Sequence, residues 1–92
     1  MTEMVVIPMS SGEYVLQFQD GDHVTDHRVD LSKEMLTELG RSPDDAREVI
    51  RASIQLLMED GDGTPLAPSV DLGSRWGGDR GFREQLTDRL RA

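Results

Sequence analysis

Glu13-Tyr14-Val15-Leu16-Gln17-Phe18-Gln19-Asp20-Gly21-Asp22-His23 is the stretch on which the reading of the fold turns. Tyr14, Leu16 and Phe18 recur at every second position with largely polar or small residues between them, the period-2 pattern of a strand with one buried face. Asp20-Gly21-Asp22 follows, and Asp-Gly suits a type I′ hairpin turn because both central residues of that turn need positive φ. A return strand is expected over residues 23–30. A two-residue turn would put Thr25, His27 and Val29 on the Tyr14-Leu16-Phe18 face, whereas a three-residue turn would put Val24, Asp26 and Arg28 there. Burying Asp26 and Arg28 costs more than burying Thr25 and Val29, so the shorter turn is expected.

Working outward, Met4 to Ile7 reads as an earlier strand, broken by Pro8 and the Ser10-Ser11-Gly12 turn. On the other side Leu31 to Leu36 reads as a helix start, with Ser32 as N-cap, Glu34 in the first turn and Leu31 and Leu36 spaced as a hydrophobic staple. Gly40 ends this helix. Ser42-Pro43-Asp44-Asp45 opens a longer one: serine caps, proline suits the first helical position, and the aspartates meet the positive end of the dipole. Ala46, Val49, Ile50, Ser53, Ile54 and Leu57 form its apolar stripe, widened by Leu56 and Met58, and Asp60-Gly61 stops it. Residues 61–81 are so rich in Gly and Pro that a flexible loop is expected, and a loop of that length signals function or disorder. Phe82, Leu86 and Leu90 then fall at i, i+4 and i+8, the mark of a short amphipathic helix too narrow-striped to stand alone. The fold class is therefore α+β: an antiparallel β-meander of two or three strands packed against two helices, a Gly/Pro-rich loop and a C-terminal helix. Residues 1–60 make the compact domain, 61–81 the loop, and 82–92 a helix that docks on the domain or on a partner.

A chain of 92 residues with 36% hydrophobic and 30% charged side chains affords one domain with a thin core. Such a core gains from sharing surface, so a homodimer or a protein partner is expected. Cysteine is missing altogether, which removes disulfides and thiolate chemistry, and the first residues lack the pattern of a secretory signal. A cytoplasmic location is expected. No apolar run approaches the roughly 20 residues that span a bilayer, so no membrane role is expected. The formal charge of −8 is uneven: net −6 over residues 1–40, −4 over 41–72 and +2 over 73–92. An acidic body repels phosphate backbones, and direct nucleic-acid binding is not expected. Lys33 is the sole lysine among ten basic residues, a bias that points to a GC-rich, bacterial genome rather than to nine selected guanidinium contacts.

Candidate sites thin out on inspection. His23 and His27 lie among Asp20, Asp22 and Asp26, and imidazoles with carboxylates can ligate divalent ions. On a strand, however, two residues four apart are separated by about 13 Å, too far to share one ion, and a solvated acidic hairpin is the simpler reading. Asp60-Gly61-Asp62-Gly63-Thr64 begins like a calcium loop, but Pro65 occupies the position that needs glycine and Asp71 the position that needs a bidentate glutamate. The glycines around Trp76 match no phosphate-loop spacing. No metal or cofactor is implied. With no serine in a nucleophile-elbow context and Asp44-Asp45 accounted for by the helix dipole, the chain reads as non-enzymatic. Trp76 beside Arg75 is the pair most enriched at binding hot spots, although Trp76 can equally fold back over the thin core. Arg75, Trp76, Phe82, Leu86 and Leu90 are the candidate protein-binding residues.

Ser42-Pro43-Asp44-Asp45-Ala46, leading through Leu56-Leu57-Met58-Glu59-Asp60-Gly61 to Pro65-Leu66-Ala67-Pro68-Ser69, resembles the last helix and proline-rich exit of HicB-type antitoxin domains. The likeness covers under a third of the chain, and it stops upstream, where that family's sheet would supply a strand and this sequence has the helix from Ser32 to Gly40. Two functions are thus in view. The chain is a protein-protein interaction or adaptor domain, or alternatively an acidic, antitoxin-like or regulatory inhibitor of a basic surface on a nucleic-acid-acting partner. Either way, a mobility-shift assay at physiological salt should show no submicromolar complex with duplex or single-stranded nucleic acid.

Overall fold

Alternation and turn chemistry together build the sheet. The computed structural model describes residues 2–10, 12–60 and 68–91. Three antiparallel strands come first, β1 (Thr2–Ser10), β2 (Glu13–Asp20) and β3 (His23–Asp30). Leu16 lies opposite both Val6 and His27, and Phe18 opposite Met4 and Thr25. Thr25, His27 and Val29 therefore share the Tyr14-Leu16-Phe18 face, as the two-residue turn requires. The turn itself differs from expectation: Gly21 has φ 62° and no non-glycine residue among those described has positive φ, so only the first central position is left-handed. That is the type II′ pattern, which suits the same strand twist with glycine first.

Helical caps follow. Ser32 Oγ accepts from the Met35 amide at 3.1 Å at the start of α1 (Lys33–Leu39), and Gly40 closes it at φ 69°. The staple residues Leu31 and Leu36 are both buried. Pro43–Asp45 forms a single 3₁₀ turn, with the Ser42 amide donating to Asp45 Oδ2 at 3.2 Å, before α2 (Ala46–Asp60) begins. Along α2 the buried set is Ala46, Val49, Ile50, Ala52, Ser53, Ile54 and Leu56, while Met58 turns outward. Ser53 is reconciled with burial by donating its hydroxyl to the Val49 carbonyl at 2.8 Å.

Two elements lie where a loop was expected. The sheet has four strands rather than two or three, because β4 (Ser69–Asp71) pairs in parallel with β3, Val70 beside Val29. The α1–α2 excursion supplies the long crossover that parallel pairing needs. Asp71 then caps α3 (Leu72–Gly78) by accepting from the Ser74 amide at 3.1 Å, and Leu72 and Trp76 carry that helix into the core. Residues 61–67 of the expected loop lie outside the described residues. Helix α4 (Arg80–Arg91) starts two residues before Phe82, with Asp79 Oδ1 accepting from the Phe82 amide at 3.0 Å.

Helix α4 docks on its own domain. Phe82 and Leu86 are buried in the common core, Leu90 packs on its margin, and Arg41 donates to the Leu90 carbonyl at 2.6 Å. An Arg89–Glu59 ion pair ties its end to α2. All the buried sheet residues, Val6, Leu16, His27 and Val29, lie on the face toward the helices. The result is two layers, sheet and helices, with one sheet face left uncovered by the described residues. Leu86→Ala should lower stability by about 2–5 kcal/mol. Its melting temperature should fall by the same amount at protein concentrations tenfold apart, since the contact is intramolecular.

Candidate functional site

The five residues singled out from the sequence do not form one exposed patch. Trp76 is 6% exposed and its indole N–H donates to Glu38 on α1. Phe82 and Leu86 are buried beside it in the same core, and Leu90 is half-buried. Only Arg75 is open to solvent. The physical reason is the thin core noted from composition: with so few large apolar side chains, the tail's aromatic and leucine residues are drawn into it. The histidines part company as well. His23 is exposed, whereas His27 is buried on the core face with its Nε2 2.8 Å from Thr25 Oγ1, so it is not part of a solvated hairpin. Among the described residues no cluster of three or more His, Asp or Glu is arranged to hold a metal ion.

Two open clefts lie in the helical layer among the described residues. One, of about 460 Å³, lies along Trp76, Arg80, Arg83 and Thr87, between α3 and α4. The other, of about 470 Å³, runs between α2 and α4 past Arg47, Arg51, Gln55 and Arg89. In the second, Arg51 reaches the Met4 carbonyl and Arg89 pairs with Glu59.

The uncovered sheet face is more distinctive. The strand register puts Val5 beside Gln17 and Asp26, and Ile7 beside Val15 and Arg28, on the side opposite the helices. Val5 is 47% exposed, and Val24 and Met9 at the margins are 59% and 64% exposed. A sheet with one wet face usually alternates cleanly to polar residues there. Here Val5, Ile7 and Val15 make a contiguous apolar strip instead. Its surroundings are acidic: Glu3, Glu13, Asp26 and Asp30 project from the same face, with Arg28 as the only base among them. Arg28 is held by Glu13 at 2.6 Å and lies 3.9 Å from Asp30. The signal for this strip was in the sequence: Val5-Val6-Ile7 is apolar on both faces of a strand, and Val15 breaks the polar phase of β2.

The open edge of β1 is guarded. Arg51 donates to the Met4 carbonyl at 3.3 Å, and Pro8 has no N–H to offer a further strand. An incoming chain is therefore turned away from the β1 edge and toward the face beside it. Comparison of the chain with protein families, curated proteins and solved structures finds no match.

At the rim, the Ser10 hydroxyl donates to Glu13 at 2.9 Å, and this bond, followed by those from Arg28, holds the Glu13 carboxyl below its ordinary value. A depressed carboxylate contributes stability above its unfolded pKa and loses it as pH falls through the folded one. Ser10→Ala should therefore raise the Glu13 titration midpoint, and Arg28→Ala should do so too. Carbon-detected NMR of the side-chain carboxyl reads both, and an unmoved midpoint in both variants would contradict the assignment.

Proposed function

We propose that this chain is a non-enzymatic protein-protein interaction domain. The observation that carries the reading is the apolar strip of Val5, Ile7 and Val15 on a sheet face that the chain's own helices leave uncovered. The tail residues first considered for this role serve the core, and the sheet face takes their place as the contact surface. In the α2–α4 cleft, Arg51 and Arg89 are already committed to a strand and a neighbouring helix, which lessens its free binding capacity.

The acidic ring round the strip favours a second, narrower reading, that of a regulator or inhibitor engaging a basic surface of a nucleic-acid-acting protein. Salt separates the two. A charge-driven complex loses most of its affinity between low and high ionic strength, and an apolar one keeps it.

A photo-crosslinking residue placed at Val24, at Arg47 or at Arg75 samples the sheet face, the α2–α4 cleft and the exposed end of α3 in the native host. A discrete protein adduct is expected from Val24. An adduct from Arg47 or Arg75 alone would move the contact surface, and no adduct from any position would overturn the interaction reading.

A further inference from the structure

We infer that the uncovered sheet face receives an amphipathic helix of a partner protein, one with an apolar stripe flanked by lysine or arginine. The inference rests on the interaction reading above and names the partner's chemistry. Three features carry it. First, the strip is narrow: Val5 and Ile7 are two residues apart on one strand, about 7 Å, and Val15 faces Ile7 across one strand spacing of about 5 Å. Residues i and i+4 on a helix are separated by about 6 Å, so a single helical stripe covers the strip. A second sheet would instead have to lie over the charged rows on either side.

Second, the flanks are acidic. Glu3 lies beyond one end of the strip and Glu13 and Asp30 beyond the other; on the β3 side Arg28 adjoins Val15, held by Glu13 and near Asp30, with Asp26 next along the strand, so the four carboxylates outnumber the one base. Basic residues bordering a partner's apolar stripe would meet carboxylates at the rim while the centre desolvates. A second copy of this chain would bring the same carboxylates face to face across a two-fold axis, which like-charge repulsion opposes. Third, strand addition at the β1 edge, the edge nearest the strip, is obstructed by Arg51 on the Met4 carbonyl and by Pro8, which favours docking across the face there.

The test is an NMR titration of the full chain with a synthetic helical peptide of leucine and lysine at amphipathic spacing, and with its counterpart carrying glutamate for lysine. The lysine peptide should shift the methyl resonances of Val5, Ile7 and Val15. The Ile7→Thr/Val15→Thr variant, whose unaltered melting temperature and amide spectrum certify the fold, should bind it about tenfold more weakly. Glu3→Gln/Asp26→Asn should also weaken it, by an amount that shrinks as salt is added. Equal binding of the glutamate peptide, shifts confined to the α2–α4 cleft, or sedimentation showing a dimer that the Ile7→Thr/Val15→Thr variant dissolves would each overturn the inference. If a cellular partner crosslinks at Arg47 or Arg75 while the lysine peptide leaves the strip unperturbed, this inference fails and the broader interaction reading survives.

Discussion

The pairing of Leu16 with Val6 on one side and His27 on the other fixes which face of the sheet becomes the core. Side chains on a strand alternate, so a slip of one residue would send Asp26 and Arg28 inward and Leu16's neighbours out. Gly21 sets this register at one end of β2. Gly12 sets it at the other: its carbonyl accepts from the Leu31 amide at 2.8 Å, its φ is 77°, and a Cβ there would stand 2.9 Å from the Leu31 carbonyl oxygen. The same contact delivers Leu31 to the start of α1. Once the register holds, Val29 lies over the helices, β4 has a partner, and α3 follows directly from the cap at Asp71.

The elements most legible in the sequence were those whose local chemistry and tertiary setting agree. The Tyr14-Leu16-Phe18 alternation, the Ser32 and Gly40 caps and the stripe from Ala46 to Leu57 each specify their conformation within a few residues. β4 was not legible, because Ser69-Val70-Asp71 has one apolar residue and no alternation; it is a strand only because β3 offers an edge. Helix α3 was hidden for a related reason. Its Gly73, Gly77 and Gly78 lower helix propensity, and the Asp71 cap together with burial of Leu72 and Trp76 offsets them. The burial of Trp76, Phe82 and Leu86 was hidden by the same omission, since a tail with no α3 before it looks free to reach outward.

Charge and apolar surface are divided between the two layers. Arginines 41, 51 and 89 gather where α2 meets α4 and its flanks, where they bind carbonyls and glutamates of the chain itself. The far side of the sheet has the reverse character, with several carboxylates and only Arg28 to answer them. Three arginines thus hold the helical layer together, while the open sheet face carries an acidic excess.

On the proposed reading, that division lets the half-exposed strip serve a partner without drawing in a second copy of the chain. Hydrophobic contact is non-directional and would by itself draw two copies together at Val5, Ile7 and Val15. Repulsion between rings of like charge acts over about 8 Å at physiological ionic strength, before any apolar atoms touch, so the copies are turned away at a distance where the strip contributes nothing. A partner of opposite charge is drawn in over that same range and then held by the strip. The acidic ring is in this sense a selector and the apolar strip the holding force, and neither would suffice without the other. Rim carboxylates alone give weak, salt-sensitive contacts, and an unringed strip would accept any apolar surface. The register beneath them keeps strip and carboxylates in fixed relation, as the proposed partner contact requires.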